Sequence, residues 1–341
     1  MKVGICGIGF MGMIHFLAYK NVPGVEVKAI CEQIPERLKG DWRSIKGNFG
    51  PQGEIMDLTG IATYEKLDDM LADPSLDMID VCLPPSAHAA ATVAALKAGK
   101  HVFCEKPISL TPQDADAMMQ ASKDSGKQLM IGHVLPFFPD FNFAWQAVQS
   151  GQFGKLLGGH FRRVISDPVW LSNFYSMETC GGPMLDLHIH DAHFIRLLFG
   201  MPKEVQSVGR LRGDVPEYFD SHFLFDDPNL VVTATSGTIQ QQGRPFTHGF
   251  EIHFEKATIL FDSFMGKPMT VLNEAGEVVT PEIAGLDDIA VFANELTEAT
   301  NAVKAGKPSA ILDGQLARDA LVVCYSEIAS IQQKKPVAIG A

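Results

Sequence analysis

Apolar positions in the first third of the chain form short runs separated by stretches of helical period. Lys2 to Cys6 reads as a buried strand and Met13 to Lys20 as a helix. Pro23-Gly24 turns the chain into a second strand, Val25 to Cys31. Pro35 suits the first turn of a short helix over Glu36 to Lys39. Asp41 to Gly60 is glycine-rich and keeps neither period, which predicts a surface insertion. Tyr64 to Leu71 has helical spacing. Met78 to Leu83 is a strand ending in Pro84-Pro85, and Ala87 to Ala98 is a helix stopped by Gly99. The strand His101 to Cys104 runs into Glu105-Lys106-Pro107. Thr111 caps a further helix with Pro112 in its first turn, and Gln128 to Val134 is another strand. Such alternation predicts an α/β fold, a doubly wound parallel sheet with helices on both faces.

The rhythm changes from Leu135 onward. Helices over Pro139 to Ser150 and Met184 to Phe199 flank a strand, Lys155 to Ile165. Then come Glu204 to Arg212, Ser221 to Phe225, Leu230 to Thr238, His248 to Phe254 and Thr258 to Asp262, strand-like runs with no helix between them. This predicts an α+β domain with an open, mostly antiparallel sheet. Asp288 to Lys304 and Asp313 to Ile331 read as closing helices. The expected division is a dinucleotide-binding Rossmann domain over residues 1–127 and a substrate and oligomerisation domain over 128–341.

A chain of 341 residues, 46% hydrophobic and 20% charged, suits two ordinary globular domains. Its net charge of -12 argues against nucleic acid and anionic membrane surfaces as partners. Six cysteines occur without a Cys-x-x-Cys spacing. Cys6, Cys31, Cys82 and Cys104 lie in apolar runs, so a reducing, cytoplasmic setting without disulfides is expected. The apolar stretch Val3 to Tyr19 has some look of a signal peptide. Its glycine spacing, His15 and the lack of a small-x-small cleavage site favour a buried strand entering a helix. No stretch is long and apolar enough to span a bilayer.

Gly7-Ile8-Gly9-Phe10-Met11-Gly12 fits the dinucleotide fingerprint in its required place between strand and helix. The first glycine permits the tight turn, the second lets the backbone approach a pyrophosphate, and the third lets helix pack on strand. The helix N-terminus supplies amide donors and a positive dipole. Glu32 ends the second strand 20 residues after Gly12, placed to accept from ribose hydroxyls and to repel an extra 2′-phosphate. NAD is therefore the expected cofactor. Arg37 leaves NADP open, though a solvated helix position is its simpler reading.

The segments Gly7 to Gly12, Pro84-Pro85-Ser86-Ala87-His88, Ala98 to Pro107 and Gly181 to Asp191 together resemble the Gfo/Idh/MocA oxidoreductases, the group of inositol dehydrogenase and glucose-fructose oxidoreductase. The resemblance spans nearly the whole chain. It implies hydride transfer between NAD and a secondary carbon of a sugar, cyclitol or derivative, and a homodimer or homotetramer formed through the outer sheet face. Alcohol oxidation needs a base and a stabiliser for the developing oxyanion. Lys106 is expected to stabilise the oxygen, His190 to carry the proton, and Asp186, four residues earlier, to orient it or bind a hydroxyl. Gly7, Gly9, Phe10, Met11, Gly12, Glu32, Pro84, His88, Glu105 and Lys106 are the expected cofactor contacts. Where some relatives carry a tyrosine acid after the tripeptide, Ile108 to Thr111 offer none, and no arginine follows the strand at His133. His133, Trp170 and His188 are candidate substrate contacts, with Phe174 a second candidate stacking ring. Asp186, His188, His190, Asp191 and His193 also form a possible metal set, but hydride transfer requires no metal and none is expected. An NAD-retaining redox-assisted glycosidase and a non-catalytic NAD or metabolite sensor are the competing readings.

Overall fold

The computed structural model describes residues 1–340. The chain forms two compact units, Met1–Phe137 with Leu286–Ala317, and Phe138–Gly285 with Arg318–Ala341.

The first unit runs β1 (Lys2–Cys6), α1 (Phe10–Tyr19), β2 (Glu26–Cys31), α2 (Pro35–Leu38), β3 (Ala62–Tyr64), α3 (Leu67–Leu71), β4 (Met78–Val81), α4 (Pro85–Lys97), β5 (His101–Glu105), α5 (Pro112–Ser125) and β6 (Leu129–Gly132). Its six strands lie in the order β3-β2-β1-β4-β5-β6. All neighbours are parallel. This is the doubly wound order, with its switch point between β1 and β4, where ligands bind at the strands' carboxyl ends. The apolar runs fill the core: Val3, Ile5, Ile79, Val81, Val102 and Phe103 are wholly buried.

Two expectations shift here. The expected boundary after residue 127 falls ahead of β6, which pairs with β5 through Glu105↔Gly132. Tyr64, read as helical, ends strand β3 instead, and its carbonyl accepts from Glu32 N at 3.0 Å. The insertion 41–60 has little regular structure, yet it is pinned. Trp42 is fully buried, donates to Arg37 O at 2.8 Å and meets Phe16 edge-on.

The second unit begins with α6 (Pro139–Ser150) and β7 (Leu156–Ser166). A π-helical turn, Met184–His188, then leads directly into α7 (Ile189–Phe199). β8 (Glu204–Arg212), β9 (Val215–Leu224), β10 (Val231–Ile239), β11 (Thr247–Phe254), β12 (Ala257–Asp262), β13 (Thr270–Asn273) and β14 (Val278–Val279) follow. α8 (Asp288–Ala305) returns to the first unit, and α9 (Gly314–Gln333) leads to β15 (Val337–Ala338). The nine strands order as β14-β13-β12-β11-β7-β10-β9-β8-β15. Only β7 and β10 pair in parallel; the rest are antiparallel. One face is buried through alternate residues such as Phe219, Ser221 and Phe223, and the other is largely open. The unread strands β13, β14 and β15 are edge pieces of four, two and two residues, too short to show a period.

Among the described residues, no helix is long and apolar enough to cross a membrane, and all six cysteines are free thiols.

Candidate active site

The dinucleotide loop passes a direct steric test. Gly7 has φ +91°, and a Cβ there would meet Cys82 O at 2.7 Å. A Cβ on Gly12 would meet Gly7 O at 2.0 Å, so only glycine lets α1 start this close to β1. Gly9 differs: a Cβ there would meet nothing within 4 Å, leaving its backbone open to a ligand. Gly9 is also the N-cap of α1 and offers no side-chain cap, so the first amides of the helix stay available for a phosphate. Glu32 closes the far side. Its Oε2 accepts from Ile8 N at 2.9 Å, and its Oε1 accepts from Gln33 N at 2.7 Å and Ile34 N at 3.1 Å. Arg37 is not a solvated helix residue. Its Nη1 donates to Ile8 O at 3.0 Å and lies 3.4 Å from Glu32 Oε2. The residues present therefore fit a dinucleotide.

Lys106 follows β5 at the carboxyl edge of the same sheet, partly exposed. Its main-chain N–H donates to Glu105 Oε2 at 3.1 Å. The Glu105 carboxyl is buried and sits over Gly132, where an added Cβ would meet Oε1 at 3.2 Å. His88 is buried, with Nδ1 at 2.8 Å from Pro107 O and Nε2 at 2.8 Å from Leu83 O. Burial pushes its pKa below the ordinary value, and the ring lies between the Pro84 and Pro107 loops, where a neutral imidazole donates to only one of the two carbonyls. Its ring faces those carbonyls, so an expected cofactor contact becomes a support for the loops that carry Pro84 and Lys106. His133 is buried just after β6.

Sequence reasoning missed the polar cluster behind this edge. His15 Nδ1 on α1 lies 2.9 Å from Asp80 Oδ2 on β4, and Cys82 donates to Asp80 Oδ1 at 3.3 Å. His15 Nε2 is 3.0 Å from Glu105 Oε1. That contact is too bent for a good hydrogen bond, so charge attraction dominates it. Burial pulls the His15 pKa down, but Asp80 and Cys82 outweigh it and hold the pKa well above the ordinary value. An aspartate inside the apolar run Met78–Val81 was the available signal, because a buried carboxylate needs a partner. Among the described residues, His15, Asp80 and Cys82 are the group whose ligand atoms lie close enough, within 4.8 Å, to share a cation.

In the second unit, Gly181 and Gly182 open the helical segment at φ +80° and +61°. A Cβ on Gly182 would meet Val215 Cγ1 at 2.3 Å, so the tight entry demands glycine. Across residues 181–195 every residue is buried except Asp186 and His190. Asp186 lies within the π-turn and His190 in the first turn of α7. A π-turn in a helix frequently marks a functional site.

One expectation fails here on burial. His188 is wholly enclosed, with Nδ1 at 2.8 Å from Ser236 Oγ and Nε2 at 3.0 Å from a Glu327 oxygen, so it does not face a substrate. Asp191 is held in a buried two-point ion pair by Arg163, at 2.7 and 3.0 Å, and is not open to a metal. Trp170 is 69% exposed, whereas Phe174 is core, packed edge-on against Tyr175.

Residues 1–133 match the model of the GFO/IDH/MocA oxidoreductase family's NAD-binding Rossmann fold, and residues 141–260 match a C-terminal domain of the same family. Myo-inositol 2-dehydrogenase of Thermotoga maritima is 27% identical over 99% of this chain and 98% of its own length. Levoglucosan dehydrogenase of Pseudarthrobacter phenanthrenivorans is 27% identical over 77% of this chain and 73% of its own. A solved levoglucosan dehydrogenase, in complex with NADH and levoglucosan, superposes with a TM-score of 0.86 at 21% identity over all of both chains. With both domains matched in order, the chain belongs to the GFO/IDH/MocA oxidoreductase family and carries its NAD-binding Rossmann domain.

Proposed function

We propose that this protein transfers a hydride between NAD and a secondary alcohol or ketone carbon of a sugar, cyclitol or close derivative. The observation that carries the reading is the isolated partial exposure of Asp186 and His190 in a buried helical segment. Lys106, at the carboxyl edge of the dinucleotide sheet, adds to it. Similarity to inositol and levoglucosan dehydrogenases supports the substrate class.

Gly7, Gly9 and Gly12, with the Phe10 and Met11 amides, hold the pyrophosphate, and Glu32 holds the adenosine ribose hydroxyls. Pro84 and Glu105 shape the nicotinamide side. NAD bound there would supply the hydride acceptor for the carbinol carbon. His190 takes the hydroxyl proton, Asp186 orients His190 or binds a neighbouring hydroxyl, and Lys106 stabilises negative charge on the reacting oxygen. The exposed Trp170 ring remains a proposed substrate contact, whereas His133, 1% exposed, is enclosed much as His188 is. Glu32 disfavours the 2′-phosphate of NADP. Free thiols fit a reducing, cytoplasmic setting. Exposed Val208 and Val231 on the second sheet fit a face for a second copy, giving a dimer or tetramer readable by light scattering.

The test is a panel of cyclitols, sugars and anhydrosugars with NAD or NADP, followed by absorbance of the reduced cofactor. Reduced cofactor with at least one panel member is expected, with NAD preferred. Ligand-induced thermal shifts without turnover would favour the sensor, and glycoside cleavage without net NADH would favour the redox-assisted glycosidase.

A further inference from the structure

We propose that His15 is a positioning residue for Lys106, acting through Glu105. The inference rests on the hydride-transfer reading, because it concerns how that reaction's lysine is presented.

The pocket lies wholly within the first unit. α1 contributes His15 and Tyr19, β4 and the residue after it contribute Asp80 and Cys82, β5 ends in Glu105, and α8 contributes Glu295. His15, Asp80 and Glu295 are each 0% exposed and Glu105 is 6% exposed. Burying three carboxyl groups and an imidazole is costly unless each is paired or neutralised. Asp80 alone would satisfy His15 as a structural ion pair, at 2.9 Å. The imidazole nevertheless turns its other nitrogen to Glu105 at 3.0 Å, and Glu105 in turn accepts from the Lys106 amide at 3.1 Å. The line of contacts runs Asp80, His15, Glu105, Lys106, from the middle of the sheet to its reactive edge.

Glu295 on α8 is also enclosed, at 0% exposed. Neither of its carboxyl oxygens has a hydrogen-bond partner. Burial first, and the charge of Glu105 second, push its pKa well above the usual carboxylate range, which favours the neutral acid. His15 faces one carboxyl group with each ring nitrogen, Asp80 at 2.9 Å and Glu105 at 3.0 Å. Gly132 completes the seat. A side chain there would crowd Glu105 Oε1 at 3.2 Å and Phe103 Cζ at 3.3 Å, which leaves Glu105 one place to lie. Without His15, Glu105 loses the partner facing its Oε1, and the acceptor for the Lys106 main-chain N–H is less firmly placed.

The test uses the full-length protein in two measurements. Competitive acetylation with trace acetic anhydride, read by mass spectrometry, compares Lys106 with Lys28, a surface lysine on β2 that serves as internal standard. In His15→Ala, Lys106 labelling is expected to change at least threefold while Lys28 is unchanged. On the polyol that the wild type turns over fastest, kcat is expected to fall at least tenfold, with the Kd for NADH within threefold of wild type. Because His15 acts through Glu105, adding His15→Ala to Glu105→Gln should cost less than a further twofold in kcat. Should His15→Ala not fold, Gly132→Ala displaces Glu105 without removing a charge and should change Lys106 labelling at least twofold. A folded His15→Ala protein with wild-type Lys106 labelling, or losses that multiply fully in the double variant, would overturn the proposal. A wild type inactive on the whole panel would count against the hydride-transfer reading alone, since labelling needs no substrate.

Discussion

Each unit encloses one histidine against acid, and the two are put to different use. In the first, His15 bridges Asp80 and Glu105, and the contacts end on the amide of Lys106. In the second, His188 bridges Ser236 on β10 and Glu327 on α9, and the contacts end on a strand hydroxyl. Burial lowers both imidazole pKa values and neighbouring acids more than restore them, so both stand above the ordinary value. The electrostatics are alike, but the geometry is not. One network leads to the lysine proposed to stabilise the reacting oxygen, and the other holds the last residue of the π-turn that carries Asp186 against β10 and α9. A buried charge near a site is thus no guide to its role until the last group it touches is known. Stability from both histidines is fully present below the unfolded value near pH 6.5 and fades as pH rises through the raised folded values.

The largest expected effects fall on the groups proposed to touch substrate. Lys106→Ala and His190→Ala should each lower kcat/KM by about 10²- to 10⁴-fold, with melting temperatures close to wild type because both side chains are partly exposed. Full activity in either variant would remove the proposed chemistry.

Next comes the contrast between the two networks. Asp80→Ala strands a buried imidazolium and should cost about 3–5 kcal/mol in urea unfolding, with kcat falling as well. Glu327→Gln keeps shape and a hydrogen bond, and should cost only about 1–3 kcal/mol with kcat within threefold. Equal kcat losses in the two variants would erase the distinction drawn between them.

A third effect lies in the second unit alone. Burial, and then the charge of Arg163, lower the His248 pKa to about 4. The folded state therefore binds fewer protons than the unfolded chain between about pH 6.5 and 4, and roughly 3 kcal/mol of stability is lost across that window as pH falls. His248→Gln should flatten this stretch of the stability profile, measured by urea midpoints at half-unit pH steps. The smallest effect concerns cofactor choice. Glu32→Ala should reduce the preference for NAD over NADP by about tenfold, roughly 1.4 kcal/mol, in the ratio of kcat/KM values.

Much of this was legible before any coordinates. The helix from Pro139 to Ser150 and the strand from Glu204 to Arg212 have the bounds their periodicity predicts, because each buries one regular face. The glycines of the cofactor loop were readable because the tight turn and the close helix start demand that residue type at fixed places. The return of α8 to the first unit was not, since a helical period does not say which core it packs on. The π-turn was hidden because its apolar spacing matches that of an ordinary helix. His188 was misread because a polar residue between Asp186 and His190 looks functional until Glu327, 139 positions away, is found against it. Asp80 went unread for a similar reason: its partner His15 lies 65 positions earlier, on a helix that otherwise reads as apolar.

The most direct measurement follows a deuterium atom. A panel substrate labelled at its reacting carbinol carbon, incubated with the protein and NAD, should give one deuterium in NADH per ketone formed, read by mass spectrometry, and Lys106→Ala should abolish the transfer. Deuterium retained in the carbohydrate with no NADH formed, by a protein that still binds both ligands, would contradict the assignment as a dehydrogenase.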